Sequence, residues 1–87
     1  MPPALQIWSH VFCRHFDPLP ARLRETITRK VDELSRRLDT WPHERLTARP
    51  EFKLRVGDYR VLYAFDLAAG RLYLLTVRHR REVYQRT

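Results

Sequence analysis

Three short segments joined by two tight turns constrain the fold of this chain more than any other feature. The segments EFKLRV, YRVLYAFD and RLYLLTVR are rich in β-branched and aromatic residues, which favour extended strands. Gly57-Asp58 has the length and the leading glycine of a two-residue hairpin turn. Ala68-Ala69-Gly70 has the length and the late glycine of a three-residue hairpin loop. These spacings predict an antiparallel three-stranded meander.

The first half of the chain predicts one strand and one long helix. LQIWSHVF, residues 5–12, is apolar and β-prone, and the prolines of the following CRHFDPLP interrupt it. Apolar residues then recur at steps of three and four, which predicts a helix over residues 20–39. The apolar stripe of this helix consists of Leu23, Ile27, Val31, Leu34 and Leu38. The expected fold is α+β, with the meander packed on the helix in a single domain of residues 1–87.

One face of the predicted meander collects positive charge. The two-residue turn places Arg55 opposite Arg60, and the three-residue loop places Arg60 opposite Arg78. Because side chains alternate along a strand, Lys53 lies on the same face as these arginines. Like charges opposite one another destabilise a sheet, so this convergence indicates an anionic ligand such as a phosphate, which guanidinium groups bind at two points. The alternative is that the four are unrelated surface residues and that the register is wrong by one.

The same register predicts how the apolar residues divide between the two faces. With a three-residue loop, Leu67 pairs with Arg71 and Phe65 with Tyr73. The face toward the helix carries Phe52, Leu54, Val56, Tyr59, Val61, Tyr63 and Phe65. The basic face carries, further from the cations, Leu62, Ala64, Leu72 and Leu74. Packing by other parts of the chain and cover by a partner protein are both open explanations for this second apolar surface.

Charge and composition limit the class of protein. A formal net charge of +7 in 87 residues favours nucleic acid, an acidic protein partner, or both. The single cysteine excludes an internal disulfide and is compatible with a reducing cytoplasm. The opening MPPALQIW does not have the pattern of a signal peptide, and no apolar run approaches the roughly 18 residues that span a bilayer. We therefore expect a soluble cytoplasmic protein with no membrane partner.

The second half of the chain resembles the RelE/ParE superfamily of toxins from bacterial type II toxin–antitoxin systems. The segments FKLRVGDYRVLYAFD and LYLLTVRHRREVY, within residues 52–84, carry the resemblance. It implies a fold like that of microbial RNases and a cognate antitoxin that wraps over the toxin. RelE-like members cleave mRNA on the ribosome without a metal, which inhibits translation, whereas ParE-like members poison DNA gyrase. The resemblance favours an mRNA endoribonuclease with no cofactor; a gyrase inhibitor and a non-catalytic binding module are the alternatives.

Three features depart from the family pattern. RelE-like toxins usually have a helical hairpin after the first strand, whereas CRHFDPLP leaves room for little more than a turn. Glu51 stands where some of the nucleases have a further lysine. The sequence ends three residues after Tyr84, so no C-terminal helix is expected. These departures concern how a substrate is positioned rather than the fold.

The resemblance also implies which residues act. The positions of the functional basic residues and the terminal tyrosine of RelE-like nucleases are held here by Lys53, Arg55, Arg60, Arg78 and Tyr84. RNA is cut without a metal when its 2′-hydroxyl attacks the adjacent phosphate, which needs a base, an acid, and cations around the phosphorus. Arg60 and Arg78 are expected to hold that phosphate. The supporting cations are Lys53, Arg55, Arg80 and Arg81.

His79 and Tyr84 complete the expected site. Tyr84 would stack on a base, a contact worth on the order of 1–3 kcal/mol. His79 stands where several relatives have a histidine, and histidine is the side chain best suited to acid–base work near neutral pH. Its strand parity turns it away from the basic face, so hydrogen bonding at the strand end is the other interpretation. Cys13 and His15 are the nearest approach to a metal-ligand pair, and two such residues do not indicate a metal site.

Overall fold

A computed structural model describes residues 2–85 of the protein, with residues 84 and 85 described by their backbone alone. In chain order the elements are β1 (Leu5–Trp8), α1 (His10–Phe16), α2 (Ala21–Arg36), β2 (Glu44–Arg45), β3 (Phe52–Val56), β4 (Tyr59–Asp66), β5 (Arg71–His79) and α3 (Arg80–Gln85). The strands form one sheet in the order β1-β5-β4-β3-β2. Strand β1 runs parallel to β5, and the other neighbours are antiparallel. The predicted α+β class and the antiparallel meander are confirmed.

Helix α2 packs its apolar stripe on one face of the sheet. Ile27, Val31 and Leu34 are fully buried in the core. The helix ends at Arg36 rather than at residue 39, but Leu38 beyond its end is still buried. From the sheet, the core receives Leu54, Val56, Val61, Tyr63, Leu72, Leu74 and Val77. Within the described residues, neither α2 nor any other helix is long and apolar enough to cross a membrane.

Residues 10–16 form a helix where the sequence predicted the end of a strand and a loop. Strand β1 stops at Trp8 because Ser9 caps α1: its hydroxyl accepts a hydrogen bond from the amide of Phe12 at 3.0 Å. Phe12 and Phe16 lie one turn apart and bury their rings against Trp8, each with its centroid 5.1 Å from the indole. Two helices, α1 and α2, therefore follow β1 in place of a turn and one long helix, so the expected departure from the RelE-like pattern at this point is wrong.

The second hairpin contains a β-bulge that the sequence analysis did not predict. Its loop is one residue longer than expected, and an extra residue in β5, Leu75, then restores the register. The changed pairs are Asp66–Arg71 in place of Leu67–Arg71, and Phe65–Leu72 in place of Phe65–Tyr73. Beyond the bulge, Arg60 pairs with Arg78 as predicted.

The bulge moves apolar residues of β5 from one face of the sheet to the other. Leu72 and Leu74 were predicted on the basic face, but both are fully buried in the core under α2. A shift of one residue reverses the face of every side chain in that part of the strand, which is the physical reason. Of the four apolar residues predicted on the basic face, Leu62 and Ala64 remain there.

A short helix, α3, follows β5 although no C-terminal helix was expected. Its Val83 is buried in a small apolar cluster with Leu46 and Leu62. Helix α3 thus covers part of the basic face of the sheet. Packing by another part of the chain, one of the two explanations offered for this apolar surface, accounts for Leu62.

Candidate functional site

Three arginines lie side by side across three strands, as the register predicted. Arg55 of β3 pairs with Arg60 of β4, and Arg60 pairs with Arg78 of β5. Lys53, two residues before Arg55 on the same strand, shares their face of the sheet. The strand pairing therefore brings the four predicted cations together on one face, but their side chains lie in three different environments.

Arg60 was expected to hold a phosphate, but only 6% of this residue is accessible to solvent. Its guanidinium turns back to its own hairpin, where Nη1 donates to the carbonyl oxygens of Gly57 and Tyr59 at 2.9 and 2.8 Å. Its Nε is buried and has no hydrogen-bond partner among the described atoms. No described carboxylate lies within ion-pair distance of this arginine, which stays charged even when buried. Its positive potential is therefore screened less than that of an exposed arginine.

Lys53 and Arg55 share one carboxylate, that of Glu44. Nζ of Lys53 lies 3.5 Å from Oε2 of Glu44, and Nη2 of Arg55 lies 2.7 Å from the same oxygen. The short strand β2 brings Glu44 into place by pairing it with Lys53 on β3. The hydrogen bond from Arg55 is the main cause that lowers the pKa of Glu44. Both cations are thus compensated by an acid of the chain, whereas the sequence analysis attributed their convergence to an anionic ligand.

Arg78 is paired with Glu82 of α3. Nη1 of Arg78 lies 3.1 Å from Oε2 of Glu82, and Oε1 of the same carboxylate accepts a hydrogen bond from the backbone amide of His79 at 3.3 Å. The hydrogen bond from Arg78 is the main cause that lowers the pKa of Glu82. The Glu82 side chain is 51% exposed. Ion pairs at such exposed positions contribute about 0–1 kcal/mol.

His79 ends β5 opposite Tyr59, away from the basic face, as its strand parity predicted. The two rings meet edge to face with their centroids 5.4 Å apart. Nδ1 of His79 accepts a hydrogen bond from the backbone amide of Arg81 at 3.2 Å, so the proton of the neutral ring lies on Nε2. The sequence left two interpretations of His79, proton transfer and hydrogen bonding at the strand end. The hydrogen bonds of the second interpretation are present in this geometry. Proton transfer by His79 stays a prediction.

The remaining predicted residues lie at the start and along the length of α3. The backbone amide of Arg80 donates to the carbonyl oxygen of Asp58 at 2.7 Å, and its Nε lies 3.8 Å from Oδ1 of Asp58. Arg80 is therefore directed to the turn between β3 and β4. Arg81 is exposed. Tyr84 belongs to α3, but its side chain lies outside the described part of the chain, so stacking on a base stays a prediction.

Arg78 and Glu82 line two neighbouring clefts. A smaller cleft of about 100 Å³ has an apolar floor under α3, and its other lining residues are Leu46, Arg49, Leu62, Thr76 and Val83. A larger cleft of about 190 Å³ lies toward α1, and its other lining residues are His15, Leu19, Tyr59, Val77 and His79. An apolar floor beside a cationic rim suits a ligand that has both an aromatic base and a phosphate.

Sequence reasoning missed two residues of this region, His15 and Glu82. Nδ1 of His15 lies 2.9 Å from Oγ1 of Thr76, which brings α1 to the border of the larger cleft. The signal for α1 was present in the spacing of Phe12 and Phe16 after a serine that can cap a helix. The signal for Glu82 was its position three residues after the strand end, the spacing of a capping box.

No metal centre is formed by the residues that the structure describes. Among them, no three histidine, cysteine, aspartate or glutamate side chains are grouped as metal ligands would be. Cys13, predicted in a loop, lies in α1 as a free thiol.

Comparison with protein families gives one match that covers nearly the whole chain. Residues 3–84 match the model of a family described as the ParE toxin of the type II toxin–antitoxin system parDE. No curated protein is similar enough in sequence to match this chain.

Several solved structures have the same fold. A chain of the toxin–antitoxin complex RelBE2 from Mycobacterium tuberculosis is 26% identical, with a TM-score of 0.74 and with 91% of this chain and 93% of that chain covered. A mutant of the E. coli toxin RelE in the free state is 19% identical, with a TM-score of 0.72 and coverage of 97% and 93%. A chain of the archaeal RelE–RelB complex from Pyrococcus horikoshii is 16% identical, with a TM-score of 0.74 and coverage of 91% and 97%. The last two similarities, at these identities, concern the fold alone.

Proposed function

This chain belongs to the ParE toxin family of type II toxin–antitoxin systems, within the RelE/ParE superfamily of toxins, and from that premise we propose that it is an mRNA endoribonuclease. In this proposal it cleaves mRNA on the ribosome without a metal, which inhibits translation and arrests growth. Support comes from the RelE-like fold and from a basic face that suits a nucleotide backbone.

The proposal depends on the row of Arg55, Arg60 and Arg78. This row can bind a phosphate because the acids that pair with Arg55 and Arg78 are exposed and hold them only weakly. The side chains of Glu44 and Glu82 are 44% and 51% exposed. Exposed ion pairs contribute about 0–1 kcal/mol each, whereas a phosphate offers charge-assisted contacts at two points. A nucleotide backbone can therefore replace Glu44 at Lys53 and Arg55, and can share the several donors of Arg78 with Glu82, while the buried Arg60 adds positive potential with no described carboxylate to displace.

In the proposed reaction, the 2′-hydroxyl of the RNA attacks the adjacent phosphate and gives its proton to solvent water. The bond from phosphorus to the 5′-oxygen breaks, and the leaving 5′-oxygen takes a proton from solvent water. Negative charge accumulates on the phosphoryl oxygens in the transition state, and preorganised cations stabilise it. Arg78, at the border of both clefts, would contact these oxygens. Arg60, buried below the surface of the basic face, would stabilise their negative charge through its positive electrostatic potential. Tyr84 would stack on a neighbouring base. The cations that would bind the flanking backbone are Lys53, Arg55, Arg80 and Arg81.

Induction in a host without an antitoxin tests the phosphate site. Arg78→Ala is expected to abolish growth arrest and transcript cleavage, since it removes the cation at the cleft border while its partly exposed position leaves the core intact. Arg60→Ala is expected to have the same effect, and thermal unfolding shows whether that variant is folded. Arg22→Ala, on an exposed part of α2, removes one charge elsewhere and should remain toxic. Full toxicity after both site changes would refute the proposal.

Proton transfer by His79 requires a separate test. A catalytic acid or base is worth about 10²–10⁴-fold in rate. If His79 has that role, His79→Gln lowers cleavage at least about tenfold and leaves RNA binding nearly intact. Unchanged cleavage rejects the role. The geometry supplies an argument against it, because Nδ1 is occupied by the amide of Arg81.

A second candidate function is inhibition of DNA gyrase, which the description of the matching family as ParE favours. Such a toxin would bind gyrase and leave transcripts uncut. Primer-extension mapping after induction separates the two: cuts at codon boundaries support the nuclease, and DNA damage without cuts supports the gyrase inhibitor. Continued growth with neither effect would indicate a binding module without toxic activity.

We also propose a cognate antitoxin as the partner of this chain. Two of the similar structures are complexes of a toxin with its antitoxin, RelBE2 and RelE–RelB. Leu5 and Val11 are 63% and 44% exposed at the β1 edge of the sheet and on α1, where a partner segment would cover apolar surface. Coexpression of the small open reading frame beside this gene should restore growth and retain the toxin in a copurified complex. Failure of both would exclude that reading frame's product as the partner.

A further inference from the structure

The start of helix α3 is closed by two reciprocal hydrogen bonds. His79 immediately precedes the helix, and its Nδ1 accepts a hydrogen bond from the backbone amide of Arg81. In return, Oε1 of Glu82 accepts a hydrogen bond from the backbone amide of His79. This arrangement resembles a capping box, with an imidazole in the place of the usual serine or threonine hydroxyl and with the second rather than the third amide of the helix as its donor. Two amides that the helix itself cannot satisfy thus obtain partners.

The cap is connected through Glu82 to Arg78, the cation that would contact the phosphoryl oxygens in the proposed reaction. Glu82 uses its other oxygen, Oε2, to hold Nη1 of Arg78 at 3.1 Å. The same carboxylate therefore joins the end of β5, the first turn of α3 and the Arg78 guanidinium. Helix α3 is too short to be stable by itself, so its place on the sheet depends on this cap and on the packing of Val83 against Leu46 and Leu62.

We infer that His79 and Glu82 are positioning residues for the toxin reaction. By capping α3 they fix the helix that contains Tyr84, and Glu82 also fixes the guanidinium of Arg78, which lies on β5. The inference rests on the proposed nuclease function. It assigns to His79 a role that requires an acceptor at Nδ1 and requires no proton transfer. Of the two tautomers of the neutral ring, the cap selects the one with its proton on Nε2.

Two substitutions of His79 distinguish this role from acid–base catalysis. Asparagine is among the best N-cap residues and cannot transfer a proton at neutral pH, whereas phenylalanine keeps a ring against Tyr59 but has no acceptor. Cleavage of ribosome-bound mRNA by the purified toxin is measured as kcat and KM. We expect His79→Asn to keep kcat within about threefold of the unchanged toxin, because the cap is retained. We expect His79→Phe to lower kcat at least about tenfold, since even small displacements of reacting groups cost rate on the order of 10²-fold.

The opposite results overturn the inference. If His79→Asn is as inactive as His79→Phe, the imidazole itself is needed and the positioning role is refuted. If both variants are fully active, the cap has no part in the reaction. Glu82→Gln retains an amide oxygen for the His79 amide but not the charge that holds Arg78. It is expected to lower kcat more than it raises KM, because Arg78 would stabilise charge that develops in the transition state, and an unchanged kcat would contradict the coupling to Arg78.

Hydrogen exchange tests the cap without any use of RNA. The amide of Arg81 is expected to exchange about fivefold faster in His79→Phe than in the unchanged toxin, the factor that corresponds to a typical cap contribution, and His79→Asn should restore it. The amide of Lys30 in α2 is the internal control and should not change. Equal exchange in all three proteins refutes the cap. A toxin that cuts no RNA but shows these exchange differences would refute the nuclease proposal and leave the cap intact.

Discussion

The two faces of the sheet are built in opposite ways. On the core face, even the polar ring of His43 is fully used: it stacks on Phe65 at 4.1 Å, and its two nitrogens lie 2.7 Å from the hydroxyl of Tyr63 and 2.8 Å from the carbonyl oxygen of Leu38. On the basic face, the buried Nε of Arg60 has no described partner, and the other cations are held by exposed carboxylates.

This contrast separates stability from ligand binding. Buried apolar contacts and satisfied hydrogen bonds carry most of the free energy of folding, and exposed ion pairs contribute little. A sheet with one completed face can therefore present the other as a site whose contacts are incomplete until a ligand arrives. Substitutions on the core face should change the free energy of unfolding, and substitutions on the basic face should change RNA binding and cleavage.

The largest expected effect on stability is at Ile27 in the stripe of α2. This side chain is fully buried, so Ile27→Ala should lower the free energy of unfolding by about 2–5 kcal/mol through lost burial and the cavity that remains. Urea titration followed by circular dichroism measures it. Lys30→Ala, on the exposed side of the same helix, is the control and should change stability by about 0.5 kcal/mol or less. Comparable losses in the two variants would show that the core face does not dominate folding.

A smaller effect is expected at Tyr63, which is fully buried. Burial raises the pKa of Tyr63, so its hydroxyl keeps its proton and donates it to Nδ1 of His43, whose Nε2 donates to Leu38. Tyr63→Phe leaves that nitrogen without a donor and should cost about 1–3 kcal/mol of unfolding free energy. Tyr73→Phe, at a half-buried position of β5, is the matched control with an expected change of about 0.5 kcal/mol or less. If the two variants unfold at the same denaturant concentration, the hydrogen bond to His43 contributes nothing.

Glu44 is expected to show the smallest effect on stability. Its substitution should nevertheless increase the affinity for RNA. Glu44→Gln removes the charge that compensates Lys53 and Arg55, so the free energy of unfolding should change by about 0.5 kcal/mol or less. Affinity for single-stranded RNA should rise and become more dependent on salt, because the Glu44 carboxylate no longer competes with phosphates for Lys53 and Arg55. Fluorescence anisotropy titrations at two salt concentrations measure both. Glu25→Gln on α2 is the charge-matched control. If Glu44→Gln bound RNA more weakly than the unchanged protein, the RNA would not bind at Lys53 and Arg55.

Local signals in the sequence were sufficient for the meander, the first hairpin and α2. Every predicted pair of the first hairpin is observed, because a two-residue turn with a glycine leaves one register. Gly57 has a φ of +57°, the left-handed backbone that glycine adopts without strain. The stripe of α2 followed from its period alone. For the site, the same reasoning placed Arg55, Arg60 and Arg78 in one row, since their places depend on register and not on distant contacts.

The bulge shows why other features could not be read from local patterns. Leu75, the extra residue of β5, has its carbonyl oxygen bound by the hydroxyl of Ser9 at 2.8 Å, and the amide of Ser9 donates to Leu74 at 3.0 Å. The residue that caps α1 thus also contacts β5 at the point where its register changes. These partners are far apart in sequence, so no window along the chain contains both.

What the sequence determined by itself was the class of fold, the family and the row of basic residues, because turn lengths and periodicity act between near neighbours. Only the tertiary structure decided that Arg60 is buried, that Glu44 and Glu82 compensate the other cations, and that His79 caps α3. Each of these depends on where separate elements meet, and burial and ion pairing are set by three-dimensional distance rather than by separation along the chain.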